Sequence, residues 1–221
     1  MSRGKTKGKG KAALRVRIMF AKTEAMRYTG HLDVLRTWER TLRRAELPLA
    51  YTQGFSPHPR IQLAAALPLG FTGEYEIVDV WFEYQVDLTV IKDNLVQAAP
   101  PGIRVLNLEI IDLHDPPLQT QVLSGEYIIT LLDPILDLTS RVESLLTAKE
   151  LVREKRGKIY DLRPLIEYLQ ILPADQEGHK CLQMQLTATE GKTGRPEEVL
   201  AALSIPPETT RGARTKIMLS D

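Results

Sequence analysis

The chain has 221 residues, of which 43% are hydrophobic and 26% charged, and a formal net charge of +1. That length suits one large domain or two small ones, with enough core to fold without a staple. Its one cysteine, Cys181, excludes a disulfide framework, a Cys-rich zinc site and an iron–sulfur cluster ligated by this chain alone. A single thiol suits a reducing, cytoplasmic setting. With no apolar run of about 18 residues, no membrane-spanning helix is expected.

The charge is unevenly placed. Residues 1–60 hold fourteen Lys/Arg against four Asp/Glu, and the rest of the chain is acidic. Such asymmetry predicts a polyanion-facing region on an acidic body. Five of those cations, Arg3, Lys5, Lys7, Lys9 and Lys11, lie in a Gly/Lys-rich stretch without apolar period. Residues 1–13 therefore read as a disordered basic arm.

In residues 14–20, Leu14, Val16, Ile18 and Phe20 alternate with Arg15, Arg17 and Met19, the period of a half-buried strand. A loop with Tyr28 and Gly30 leads into Leu32, Leu35, Trp38, Leu42 and Ala45 at helical spacing, closed by Pro48. Residues 51–59 carry Gly54, Pro57 and Pro59 and read as a loop. Strands are expected at 61–67, 75–84 and 103–113, with a helical stripe of Leu88, Ile91 and Leu95 before the last. After a connector at 114–124 the order recurs. There is a strand at 127–132, a helix on Leu138, Val142 and Leu145, and a strand from 151 broken at Gly157. An ambiguous stretch at 162–172 suits a short helix. A strand at 181–189, a helix at 195–203 with Pro196 in its first turn, and a strand at 209–219 complete the chain. The expectation is an α+β fold of two tandem ferredoxin-like β-α-β-β-α-β halves with antiparallel sheets, residues 14–113 and 125–221. One such half beside an unrelated α+β domain is the other organisation this order allows.

Arg36, Arg40, Arg43 and Arg44 fall on one face of the first helix, opposite Leu35 and Leu42. Guanidinium forks suit bidentate phosphate contacts, although a solvated, salt-bridged face has the same pattern. The loop before this helix adds Arg27, Tyr28 and His31: a phosphate partner, a ring that can stack on a base, and an imidazole for hydrogen bonding or acid–base work. Gln53, Phe55, His58 and Arg60 sit on the proline-stiffened loop, a second stacking and ion-pairing set. His31 is a weak catalytic candidate. His31, Asp33 and His58 lack a metal-motif spacing, so no metal is expected. No phosphate-binding loop, dinucleotide fingerprint or nucleophile elbow is present, so no cofactor is expected either. Arg153, Lys155, Arg156, Lys158 and Arg163 read as a solvated basic turn. Trp38 and Trp81 read as core.

These residues carry a resemblance. The run Arg27-Tyr28-Thr29-Gly30-His31-Leu32-Asp33 is followed by Arg36-Thr37-Trp38-Glu39-Arg40 and Arg43-Arg44, and then by residues 47–60 with Gln53-Gly54-Phe55-Ser56-Pro57-His58-Pro59-Arg60. It resembles the radical SAM-linked protein family, a bacterial domain of unknown function. Leu67-Pro68-Leu69-Gly70, Lys155-Arg156-Gly157-Lys158, residues 161–165 and Arg195-Pro196 continue the likeness over most of the chain. The sequence departs from the family at Gly30, where Ser is commoner, and at Ser56, where Asn is commoner. The resemblance implies a partner, a radical SAM protein with a cobalamin-binding-like domain, rather than an activity. The expected function is an accessory RNA-binding module that presents tRNA or rRNA to that enzyme. The alternatives are a metal-independent endoribonuclease with a loop-borne His, related in fold to CRISPR RNA-processing enzymes, and a protein–protein adaptor that touches no RNA.

Overall fold

The computed structural model describes residues 12–155 and 157–220. The expected basic arm lies outside the described residues apart from its last two positions. Of the basic turn, Arg156 and the side chains of Lys155 and Lys158 lie outside them too.

The first half runs β1 (Leu14–Lys22), α1 (His31–Arg44), β2 (Ile61–Leu63), β3 (Phe71–Phe82), α2 (Leu88–Ala98) and β4 (Ile103–Ile111). The strands lie in the order β2-β3-β1-β4, all antiparallel. Leu14, Val16, Ile18 and Phe20 of β1 share one face with Val78, Val80 and Phe82 of β3, and α1 and α2 bury Val34, Trp38, Leu42, Ile91 and Leu95 against them. Phe20 meets Trp38 edge-on, with centroids 4.9 Å apart.

The second half runs β5 (Val122–Leu131), α4 (Leu138–Thr147), the hairpin β6 (Val152–Lys155) and β7 (Lys158–Asp161), then β8 (Ile166–Leu172), β9 (Cys181–Thr189), β10 (Lys192–Thr193), α5 (Pro196–Ala202) and β11 (Thr210–Leu219). Its main strands follow the order β8-β9-β5-β11. The β6–β7 hairpin forms a separate two-stranded sheet that turns at Gly157, φ +75°. A second core gathers Ile129, Leu138, Val142, Leu182, Met184, Leu186, Val199 and Leu200.

Three features differ from the sequence expectation. The halves do not hold separate antiparallel sheets. Gly212–Arg214 of β11 pair in parallel with Phe71–Gly73 of β3, and nine strands make one mixed sheet. β2 and β11 share the same edge of β3, which confines β2 to three residues. Residues 166–172 are a strand, not a helix. The connector is not a free linker: α3 (Leu118–Gln121) seats a fully buried Leu118 beside Ile77, Val122 and Ile217 in a third core.

Candidate nucleic-acid interface

The cations of the N-terminal region divide into two populations. Arg15 and Arg17 point to the sheet face opposite α1, and both close on the fully buried Asp79. Arg15 Nη2 donates to Asp79 Oδ2 at 2.6 Å and Arg17 Nε to Oδ1 at 2.9 Å. The Arg15 guanidinium also donates to the Asp115 and Pro116 carbonyls, which pins the connector down. Lys22 is buried and donates to the Arg27 and Phe71 carbonyls at 3.0 and 2.9 Å. Burial pushes its pKa down to about 8.

Arg27, expected at the interface, belongs with these internal braces. It is buried, it grips Glu24 at 2.7 and 2.5 Å, and it donates to the Gly70 and Gly212 carbonyls of the two halves. It is therefore committed to the protein and not offered to a ligand. Arg44 is exposed, but its guanidinium donates to the Ala98 carbonyl at the end of α2.

Arg36, Arg40 and Arg43 remain on the solvent face of α1. Among the described residues, Arg36 meets only the exposed Asp33, at 3.1 Å, and Arg43 approaches Glu39 at 3.9 Å. Pairs this exposed contribute little and yield readily to a competing anion. Leu35, Glu39 and Arg43, each four residues apart, form the side of α1 nearest β2, because Leu35 lines the groove described next.

An open groove of about 480 Å³ runs along β2. His31 and Leu35 stand on one side, Thr52, Pro59 and Arg60 at the loop end, Trp81 and Arg15 on the sheet, and Asp115 and Gln119 on the connector. Trp81 lies between two guanidiniums, with Arg15 at 4.9 Å and Arg60 at 4.8 Å from its ring. The structure thus brings His31 and Arg60 together. Tyr28 is 80% exposed, Phe55 stands fully in solvent, and Gln53 and His58 are exposed on the same loop as Phe55; none of the four lines the groove. Tyr51 bridges Pro59 to close the loop base.

His31 opens α1 after Gly30 and is half-buried. Burial, and secondly the charge of Arg214, hold its imidazole below the ordinary 6.5, while Glu76 pulls the other way. Near neutral pH it is an uncharged hydrogen-bonding group. Behind it, Lys22, Thr29 and Glu76 line a space of about 10 Å³, too small for a substrate. No three His, Cys, Asp or Glu residues group as metal ligands among the described residues.

His31 and Gln119 also line a second cleft, of about 550 Å³, at the seam between the halves. Its floor is Arg214, which is buried and grips Glu76 at 2.8 and 2.5 Å and the Ala65 and Ala66 carbonyls. At its far end Thr189, Gly191, Thr193 and Arg195 are shared with a third cavity on the second half, of about 940 Å³. No local pattern in the sequence marks this seam. Arg214 and Glu76 lie 138 positions apart, and nothing local marks either as a partner.

A family model described as "Uncharacterized protein conserved in bacteria (DUF2344)" matches residues 15–196. No curated protein matches the chain. Among solved structures, a chain of the Cbf5-Nop10-Gar1 complex aligns with TM-score 0.49 and 10% identity, over 93% of this chain and 50% of that one. A chain of the archaeal box H/ACA sRNP Nop10-Cbf5 complex gives 0.45 and 11%, over 92% and 48%. The acetolactate synthase small subunit from Thermotoga maritima gives 0.26 and 13%, over 93% and 94%. The chain spans about half the length of the first two. At these scores the likenesses are too slight to carry a function across. No helix among the described residues is long and apolar enough to cross a membrane.

Proposed function

The chain belongs to the DUF2344 family, and we propose that it is an accessory RNA-binding module that presents a structured RNA, tRNA or rRNA, to a modifying enzyme. The observation that carries this reading is the exposed, weakly paired arginine face of α1 beside a groove with Arg60 stacked at its mouth. Guanidiniums of that kind suit phosphates. Tyr28, Phe55 and His58, exposed on the flanking loops, suit unstacked bases. The partner in this reading is a radical SAM protein with a cobalamin-binding-like domain. Support for it comes from the resemblance of residues 27–60 and from the single cysteine, Cys181, which leaves any cluster to the partner. Residues 14–113 and 125–221, joined by 114–124, are read as tandem ferredoxin-like halves. Their strand orders, β4-β1-β3-β2 and β11-β5-β9-β8, support that reading. The setting is cytoplasmic in this proposal.

The test is RNA affinity as a function of salt, for the native chain and for the Arg36→Ala/Arg40→Ala/Arg43→Ala variant. The native chain should bind with a steep salt dependence. The variant should lose about 0.7–0.9 from the log–log slope for each phosphate contact removed. No salt-dependent RNA binding at all would leave the adaptor reading. One observation favours the endoribonuclease instead: a half-buried His31 on a groove wall. Cleavage in EDTA that His31→Ala abolishes while binding persists would put that reading first.

A further inference from the structure

The 940 Å³ cavity on the second half has no part in the reading above. It is at the upper end of the size of small-ligand pockets, about 300–1,000 Å³. Its walls come from three places: Tyr160 and Asp161 of the β6–β7 hairpin, Pro164 and Leu165 of the following turn, and the threonines of β9 and β10 with Lys192 and Arg195. Gly194 makes this arrangement feasible. A Cβ there would stand 3.0 Å from the Leu165 carbonyl and 3.2 Å from Leu165 Cβ, so glycine lets the β10–α5 link close down on the turn.

The lining is of two kinds. Tyr160, Leu165 and Pro164 supply a ring and aliphatic carbon, with Tyr160 and Leu165 packed on the second core. Lys192 and Arg195 are three residues apart, exposed, and make no ion pair with a described residue. Asp161 makes no ion pair with either among the described residues; its Oδ1 accepts the Leu151 and Arg163 N–H groups at 2.8 and 2.9 Å. Thr187 donates its hydroxyl to Glu167, whereas the Thr193 hydroxyl makes no hydrogen bond to a described residue. A ligand matched to this wall is flat and partly apolar at one end and anionic at the other. It must also accept hydrogen bonds from a guanidinium and an ammonium.

We propose that this pocket binds a mononucleotide unit, its phosphate on Lys192 and Arg195 and its base against Tyr160, Pro164 and Leu165. The unit has two possible sources, a free nucleotide or the phosphorylated end of a strand. The seam cleft shares Arg195, Thr189 and Thr193 with the pocket and His31 with the β2 groove, so the three depressions adjoin one another. The proposal does not rest on RNA binding by α1.

Calorimetric titration of the full chain with AMP, UMP, adenosine and inorganic phosphate tests it. At least one 5′-nucleotide should bind, with adenosine and phosphate each at least tenfold weaker. Arg195→Ala and Lys192→Ala should each weaken nucleotide binding tenfold or more without moving the thermal midpoint, and Arg60→Ala should leave it unchanged. Adenosine binding as tightly as AMP, no binding by any 5′-nucleotide, or an Arg195→Ala chain that binds normally would overturn the proposal. Competition by a 5′-phosphorylated tetranucleotide, compared with its 5′-hydroxyl form, distinguishes the sources. A strand-end ligand is displaced preferentially by the phosphorylated form, and a free-nucleotide site by neither. Mononucleotide binding without salt-dependent RNA binding would sink the RNA reading and leave this one standing, and the reverse result would do the opposite.

Discussion

Lys22 shows how a single side chain reports on the seam between the halves. Its ammonium is buried and held by two carbonyls, from Arg27 and Phe71. Burial lowers its pKa from 10.5 to about 8; Glu76 opposes the shift, and Arg27 and Arg214 add to it. The unfolded chain keeps this proton up to the ordinary value, so between about pH 8 and 10.5 the unfolded state binds more protons. Raising the pH through that window therefore favours the fold. Compared with Lys22→Met, which lacks the titration, the native chain should gain in urea midpoint from pH 8 to pH 10. A difference that is flat or falls with pH would refute the assignment. The sequence disguised Arg15 and Arg17 for one reason. Alternation along β1 marks every second residue as facing away from the first core, and the arginines on that face look solvated. Asp79, Gln121 and the connector carbonyls hold them instead, and such partners are remote in sequence.

Among the elements, α1 was legible because Trp38 and Leu42 of the apolar stripe are buried at helical spacing with Val34 and Thr41, over little more than two turns, which leaves the arginines the solvent face, although Leu32 of that stripe is exposed. β8 was not, because a register shift between Ile166 and Tyr168 puts two inward residues, Ile166 and Leu169, three apart, a helical signature on a strand. The parallel contact of β11 with β3 was also invisible, since it spans only three residues and depends on Gly212. A Cβ at Gly212 would collide with the Phe71 ring. Gly212→Ala should therefore destabilise the protein by about 1–3 kcal/mol through overpacking. Adding Phe71→Leu, which frees space at that contact, should recover part of the loss in chemical denaturation. Strictly additive effects of the two substitutions would show that the ring and the glycine do not meet.

The molecule as a whole has two large hydrophobic cores whose halves meet at a mixed seam, where the third core packs Ile77 against Val122 and Ile217 and Phe71 of β3 enters the second core. Parallel pairing contributes three residue pairs, and side-chain bonds across it include Arg214 to Glu76 and Arg27 to Gly212. Both tryptophans, Trp38 and Trp81, belong to the first half. Their fluorescence reports that half alone, while far-UV circular dichroism reports both. In the native chain the two signals should unfold together, because a nine-stranded sheet crosses the seam. Arg214→Met leaves Glu76 as a buried carboxylate without its partner, a change that costs about 3–5 kcal/mol in comparable pairs. The loss should fall on the seam, and the fluorescence and dichroism transitions should separate in urea. The double variant Arg214→Met/Glu76→Met removes the stranded charge and should bring them back together. If Arg214→Met lowers stability while the two transitions still coincide, the halves are held by their shared strands and not by this ion pair, and the seam cleft floored by Arg214 is a rigid groove rather than a hinge.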